Sequence, residues 1–377
     1  MSEETKVVKE PLFHIVKRDY MPLRKTLLIR VGAVLGAILL SCILCGIVAK
    51  ENPFYAFSAL FDGALGTERR VWILLQDTAL LLTVSLAIVP AFKMKFWNLG
   101  GNGQVLMGCL ATTACMFYLG GKLPDGVVIV FMILSSITVG AIWAVIPAIF
   151  KAFFKTNESL FTLMMNYIAT GLVAFALTFW AKDGSAVLRP IQYANLPTII
   201  NKHFLPVLVS FVVLIAMYIY LKHSKHGYEI SVVGESENTA KYIGIRVKKV
   251  IIRTMLVSGA ICGLVGLVLV GGINHTVNEQ MANNMGFTAI MVAWLAQLNP
   301  LIMAGVSLFI VFLTKGMGQV RKDFGFTNEA LANVVIGIVY FFLIASEFFI
   351  RYKFIFRKKK TVEATDEESG KTEKEEA

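Results

Sequence analysis

"VWILLQDTALLLTVSLAIVPAFKMKFWNLGGNGQVLMGCLATTACMFYL", residues 71–119, decides the fold. Its first apolar run, 71–92, is long enough to cross a hydrocarbon core of ~30 Å as a helix. A second run follows from 103 to 119. Between them "FWNLGGNGQ", 96–104, places two Asn, one Gln and three Gly within nine residues. Two helical runs of this kind, joined by a flexible, amide-rich break, predict a polytopic helical membrane protein. They also raise the question of what the break is for.

The same pattern repeats in both directions along the 377 residues. Candidate spans are 26–48, 71–92, 103–119, 126–150, 159–180, 204–221, 251–272, 286–297, 300–315 and 330–350. The fold expected is all-α, with about ten transmembrane or re-entrant helices. The segments 286–297 and 300–315 are short and meet at Asn299-Pro300, so they read either as two spans or as a re-entrant pair. Mean hydropathy is +0.68 and only 16% of residues are charged, against ~25% in soluble domains. This composition excludes an ordinary soluble enzyme. The run 26–48 is too long for a signal-peptide core and lacks a small-residue cleavage site, so it is expected to be a retained first helix.

Lys and Arg set the orientation. With the N-terminus inside, 26 of them fall inside and 10 outside. Lys50, Arg69, Arg70, Lys122, Lys182, Arg189, Lys202, Lys315, Arg321 and Lys322 are the outside set. Both termini are therefore expected in the cytoplasm. The net charge of +11 is a topology signal with some contact to membrane lipid, and it calls for no nucleic acid. Three domains follow: a cytoplasmic tail, 1–25; a membrane domain, 26–356; and a tail, 357–377, basic at first and then acidic. That last tail is too polar to support a packed core. Residues 181–203 read as a long external loop, and 222–250 as the longest internal one.

Chemistry-bearing groups are sparse. Cys42, Cys45, Cys109, Cys115 and Cys262 all lie within apolar runs. The C-x-x-C at 42–45 reads better as small-residue helix packing than as a metal or redox pair. His223 and His226 lie in a basic loop and read as solvated polarity. No phosphate-cradling G-x-x-x-x-G-K-[ST] is present, and no cofactor is called for. Asp77 and Glu347 are the main ionisable candidates within spans and keep a proton relay open as an alternative. Backbone freed by the break at 96–104 must be packed in protein or line a wet cavity, because lipid cannot satisfy it. Asn98, Asn102 and Gln104 supply neutral donors and acceptors there. Passage of a neutral, hydroxyl- or amide-rich solute and an ordinary polar turn both fit. Phe96, Trp97 and Tyr167 suit packing or the interfacial aromatic belt better than stacking on a nucleobase.

Four stretches, in order, resemble one family. "FWNLGGNGQVLMG" is similar to the F-N-I-G-x-E-G-Q segment of permease subunits of bacterial ATP-binding-cassette importers. "TNESLFTLMMNYIA", 156–169, "VGESENTAKYIGI", 233–245, and "GFTAIMVAWLAQLNP", 286–300, resemble three further segments of the same family. This is the family that serves branched-chain amino acids, ribose and nucleosides, and the nucleoside and simple-sugar branch is the most similar. Asn102 stands where those members usually carry Glu, and Trp97 interrupts the F-N-I reading.

The resemblance implies a permease subunit in the bacterial plasma membrane that carries a nucleoside or related simple sugar. It would pair with a second homologous permease, as a heterodimer, with cytoplasmic ATP-binding subunits and an external solute-binding lipoprotein. ATP hydrolysis would belong to those partners, so this chain is not expected to be an enzyme. An ion-coupled secondary transporter for a small neutral solute is the alternative, since broken helices at mid-membrane also occur there. A membrane-embedded enzyme or scaffold is a third reading. Asn98, Asn102, Gln104 and Asn166 are expected along the route. From Ser236 the internal loop reads as a short helix, with Ser236 as N-cap and Glu237 in its first turn. Glu235, Glu237, Ala240, Tyr242, Gly244 and Ile245 are expected to couple it to the ATPase.

Overall fold

A computed structural model describes residues 13–18, 21–49, 52–181, 188–198, 200–325 and 330–356. Most of the N-terminal tail, the basic and acidic tail 357–377 and residues 182–187 of the external loop lie outside the described residues. The chain divides into two compact units, one made of residues 1–39 with 339–377 and the other of residues 40–338.

The first unit brings the two ends of the chain together. A strand, β1 (Phe13–Lys17), pairs antiparallel with β2 (Tyr352–Phe356), with Ile15 opposite Phe354. β1 leads to helix α1 (Leu23–Ala49), and β2 follows the last helix, α13 (Ala330–Arg351). Glu347, a relay candidate, accepts from Arg351 Nε at 2.8 Å one turn on.

The second unit holds the remaining helices. The sequence reading placed no element between 49 and 70, yet α2 (Pro53–Leu65) stands there. Its 13 residues are too few to register as a span. Asn52 caps it by accepting from Phe54 N–H at 3.0 Å, and Pro53 occupies the first turn, where its missing N–H costs nothing. α3 (Glu68–Lys93) is capped by Thr67; α4 (Gly101–Leu119) and α5 (Asp125–Phe154) follow. α6 (Glu158–Trp180) starts at Asn157, which accepts from Leu160 N–H at 3.1 Å. α7 (Phe204–His223) leads into the stretch 222–250, which is helical: α8 (Lys225–Glu235) and α9 (Glu237–Tyr242). α10 (Val247–Leu267) runs on as a π-helical turn, Val268–Asn274. α11 (Met285–Leu295) and α12 (Pro300–Asp323) complete the unit.

Among the described residues, seven helices are long and apolar enough to cross a membrane: 24–48, α3, α5, α6, α7, α10 with its π turn, and α12. The two segments expected to be short differ from each other. α11 has 11 residues, but α12 runs through 24, well past 315. Lys315, Arg321 and Lys322, counted in the outside set, are helical. Pairing explains the difference, because Lys315 Nζ meets Asp77 Oδ2 on α3. A cation matched in this way no longer ends a span.

The packing centre is the α4–α5–α10 group, where glycines let backbones touch. A Cβ on Gly263 would lie 2.2 Å from Ser136 O, and one on Gly266 would lie 2.5 Å from Cys109 N. Gly259 meets Gly140 in the same way. These are small-residue helix contacts of the kind that hold membrane helices where lipid offers no hydrophobic drive.

Candidate functional site

The break at 96–104 folds as a joint between four helices. Helix N-termini leave their first N–H groups without intrahelical partners. α4 begins at Gly100, which has no side chain to cap it. The cap comes from another helix: Asn166 Oδ1, on α6, accepts from Gly103 N–H at 2.8 Å. Asn166 Nδ2 in turn donates to Leu99 O at 2.9 Å. α11 is served likewise. Its own N-cap, Asn284, sits in the left-handed region and makes no side-chain cap. Asn102 Oδ1 on α4 accepts instead from Gly286 N–H at 2.7 Å. Asn98 binds within the turn, accepting from Gly100 N–H at 3.0 Å and Gln104 Nε2 at 3.2 Å. It reaches α10 by donating to Ser258 Oγ at 3.2 Å.

All four residues expected along the route are thus brought together and buried: Asn98 at 0%, Asn102 at 8%, Gln104 at 1% and Asn166 at 8% exposure. Asn98, Asn102 and Asn166 spend their amide oxygens on helix-end N–H groups that lipid could not satisfy, while Gln104 Nε2 bonds Asn98. Gln104 Oε1 is buried without a hydrogen-bond partner among the described residues. The glycines are required by contact: a Cβ on Gly286 would stand 2.5 Å from Asn102 N, and one on Gly103 would stand 2.9 Å from Asn166 Oδ1.

Thr162, Glu158 and Trp294 also belong to the joint and escaped the sequence reading, which places Trp97 as a packing residue. Thr162 Oγ1 accepts from Leu99 N–H at 3.1 Å and donates to Glu158 O at 2.7 Å. Glu158 pairs with Lys151 Nζ at 2.7 Å. Glu158, Thr162 and Asn166 recur every four residues in "TNESLFTLMMN", a polar stripe that helical spacing alone could have revealed. Trp97 stacks on Trp294 of α11 at 5.6 Å and meets Phe92 edge-on at 5.5 Å.

Asp77 is not an isolated acid. Besides Lys315 it accepts from Gln76 Nε2 at 3.1 Å, and Gln76 Oε1 accepts from His203 Nδ1 at 2.6 Å. Burial first, then Lys202 and Arg69, hold His203 below the usual imidazole range, against the pull of Asp77.

The second element is the helix pair α8–α9. Ser224 caps α8 by accepting from Gly227 N–H at 3.0 Å, and Ser236 caps α9 by accepting from Thr239 N–H at 3.3 Å. The short helix expected from Ser236 is present. α8 is pressed onto the end of α3, since a Cβ on Gly234 would lie 2.1 Å from Lys93 O. Arg253 of α10 holds Glu229 at 2.8 Å. Of the six coupling candidates, Ala240 is turned into the chain at 0% exposure, whereas Tyr242 is 93% exposed. Glu235, Glu237 and Gly244 are exposed and Ile245 is half-buried. Gly244 ends the segment at φ +84°, with open space around it.

Membrane-length helices around amide-capped interior breaks, with a helical loop braced on their ends, define the class: a multi-pass membrane transport permease. The chain belongs to the family described as branched-chain amino acid transport system / permease component, whose model matches residues 71–344. It is similar to a nucleoside ABC transporter permease protein of Lactococcus lactis, 27% identical over 99% of this chain and 100% of that one. A guanosine ABC transporter permease protein of Bacillus subtilis is 27% identical over 90% and 97% of the two chains. A glucose ABC transporter permease protein of Haloferax volcanii is 27% identical over 81% and 84%. The chain is accordingly the permease subunit of an importer of the plasma membrane that works with ATP-binding subunits and a solute-binding protein.

Proposed function

We propose that this permease imports a nucleoside or a closely related simple sugar, with hydrolysis carried by separate ATP-binding subunits and none by this chain. The observation that carries the reading is the contact of Gly234 with Lys93 and Met94. It places the internal helix pair four residues upstream of Asn98. In this reading a push on α8–α9 reaches the joint through the short stretch 95–97.

In this reading α8 and α9 face the cytoplasm and dock on an ATPase subunit. Tyr242, Ile245 and Gly244 make the contact surface, Glu235 and Glu237 lie at its rim, and buried Ala240 holds the helix from beneath. Asn98, Asn102, Gln104 and Asn166 stand behind the route, as the joint that sets the spacing of the α4, α6, α10 and α11 helices that line it. The relatives named for nucleosides span nearly the whole chain, which favours a nucleoside over a free sugar. A second homologous permease completes the pore as a heterodimer. Native mass measurement of the purified transporter tests this, and two copies of this chain with no second permease would reject it.

The deciding experiment is uptake by the reconstituted complex. Labelled nucleoside and labelled hexose are offered with the binding protein present, with ATP or with a non-hydrolysable analogue inside. Uptake that requires hydrolysis supports the reading. Uptake driven by an ion gradient through this chain alone would replace it with the secondary-transport alternative.

A further inference from the structure

The route needs a surface that the cargo touches, and the joint, being closed on itself, does not offer one. The stretch between α10 and α11 does. α4 and α10 run side by side, with Ser258 bonded to Asn98 and Gly263 against Gly108. From Ser258 the helix continues thirteen residues to Gly271, which lies against Met132 and Leu196, a rise of about 20 Å. Gly286 is back at the joint, bonded to Asn102. The intervening chain therefore returns toward the joint without a helix, as a run of turns: Met281 N–H bonds Asn278 O, Asn283 N–H bonds Gln280 O and Met285 N–H bonds Ala282 O, and Asn274 Nδ2 reaches Met281 Sδ at 3.3 Å.

Those residues are "HTVNEQMANN", 275–284, and most are polar. Val277, Met281 and Ala282 are buried and anchor the strip, while Glu279, Gln280, Asn283 and Asn284 are exposed. Asn283 and Asn284 both adopt positive φ, 40° and 54°, a conformation Asn tolerates better than most residues. An Asn at a helix N-cap ordinarily spends its side chain on the first turn. Asn284 does not, because Asn102 takes the Gly286 N–H in its place. Its amide remains available. Exposed amides, a carboxylate and irregular backbone at this depth cannot face lipid.

We propose that residues 275–284 form the wetted wall of the translocation route, where Glu279, Gln280, Asn283 and Asn284 hydrogen-bond a neutral, hydroxyl-rich solute. Each amide offers donors and an acceptor, and the carboxylate offers acceptors alone, a set that matches sugar hydroxyls, which donate and accept. With one acid and no exposed cation, the strip disfavours phosphorylated solutes. The inference rests on the permease reading above and adds the surface that meets the cargo.

The test uses the whole reconstituted complex carrying Gln280→Cys or Asn283→Cys. The native cysteines are buried or half-buried, so wild-type protein supplies the background. A cationic, membrane-impermeant thiosulfonate should label both variants at least tenfold faster than Phe175→Cys, an exposed apolar site on α6. Saturating nucleoside or hexose should slow that labelling, and a nucleoside monophosphate should not. Labelling no faster than at Phe175→Cys in every nucleotide state overturns the wall. Rapid labelling that neither solute slows overturns the solute contact. ATP-driven uptake by the wild-type complex is measured in the same vesicles. If uptake persists while labelling fails, only this inference falls; if uptake itself is absent, the permease reading fails separately.

Discussion

The joint at 98–104 and the helix pair α8–α9 treat their side chains in opposite ways. At the joint, polar groups point inward. Asn166 and Asn102 each cap a helix other than their own, and glycines bring backbones into contact. In the helix pair the caps are local, from Ser224 and Ser236, and large apolar groups point outward: Tyr228 is 61% exposed, Ile243 51% and Tyr242 93%. A cap supplied across an interface fixes the distance between two helices. A cap supplied from within fixes only the helix it begins. The first arrangement resists separation, and the second leaves a face free for a partner. The contact of Gly234 with Lys93 connects the two.

The sharpest way to break that contrast is to wedge the joint. Gly286→Leu places a Cβ 2.5 Å from the Asn102 backbone nitrogen, a clash that no rotamer relieves. A loss of about 3 kcal/mol is expected, read as a lower thermal midpoint in detergent or as failure to accumulate folded protein. Gly305→Leu, on α12 with nothing within 4 Å, is the matched control and should match wild type or gain slightly. Equal losses in the two variants would show that the joint is not closed as described.

The next step removes a trans-cap without adding bulk. Asn166→Leu orphans the Gly103 N–H and the Leu99 carbonyl, both held by this amide. An unsatisfied buried group costs about 1–3 kcal/mol, and a drop of that size in unfolding free energy is expected. Asn166→Asp keeps an acceptor for Gly103 near a helix N-terminus, where negative charge is favoured, and should recover part of it. A neutral Asn166→Leu would mean that water replaces the cap, and the joint would then be wet in the resting state.

These two tests address what was hardest to read from the chain. The amide-rich composition of 96–104 was visible, and so was Asn166, but the function of an amide depends on whose N–H it meets. Asn102 serves Gly286, 184 residues away, and no spacing rule reports such a partner. The charges of α12 were misplaced for the same reason, since Lys315 is matched by Asp77 on another helix. α2 was missed because 13 residues fall short of a span, and 275–284 was passed over because it carries no periodicity. What was legible was local. Ser236 and Glu237 announced α9, because cap chemistry acts within a turn.

The cap of α9 gives a smaller effect. Ser236→Ala leaves Thr239 N–H without its acceptor and should cost about 1 kcal/mol. The change is confined to a helix of six residues, so it should appear as faster amide exchange at 239–242 with little movement of the global midpoint. A large global loss would mean that α9 is part of the core, contrary to its exposure.

The smallest change in stability should come with the clearest change in function. Tyr242 stands 93% exposed at the end of α9, so Tyr242→Ala removes almost no contact within the chain. Its unfolding free energy should stay within about 0.5 kcal/mol of wild type. If α9 is the surface that meets the ATPase, the same variant should lose most transport while its partners continue to hydrolyse ATP, because an exposed aromatic is the kind of anchor a protein interface uses. Tyr242→Phe retains the ring and should restore coupling, which separates a packing contact from a hydroxyl hydrogen bond. Gly244 is a poorer probe, because its φ of +84° makes any side chain there strain the backbone as well as the interface. Normal uptake and normal partner binding in Tyr242→Ala would place the docking surface elsewhere on the loop. Tyr228 on α8, 61% exposed, would be the next residue to remove.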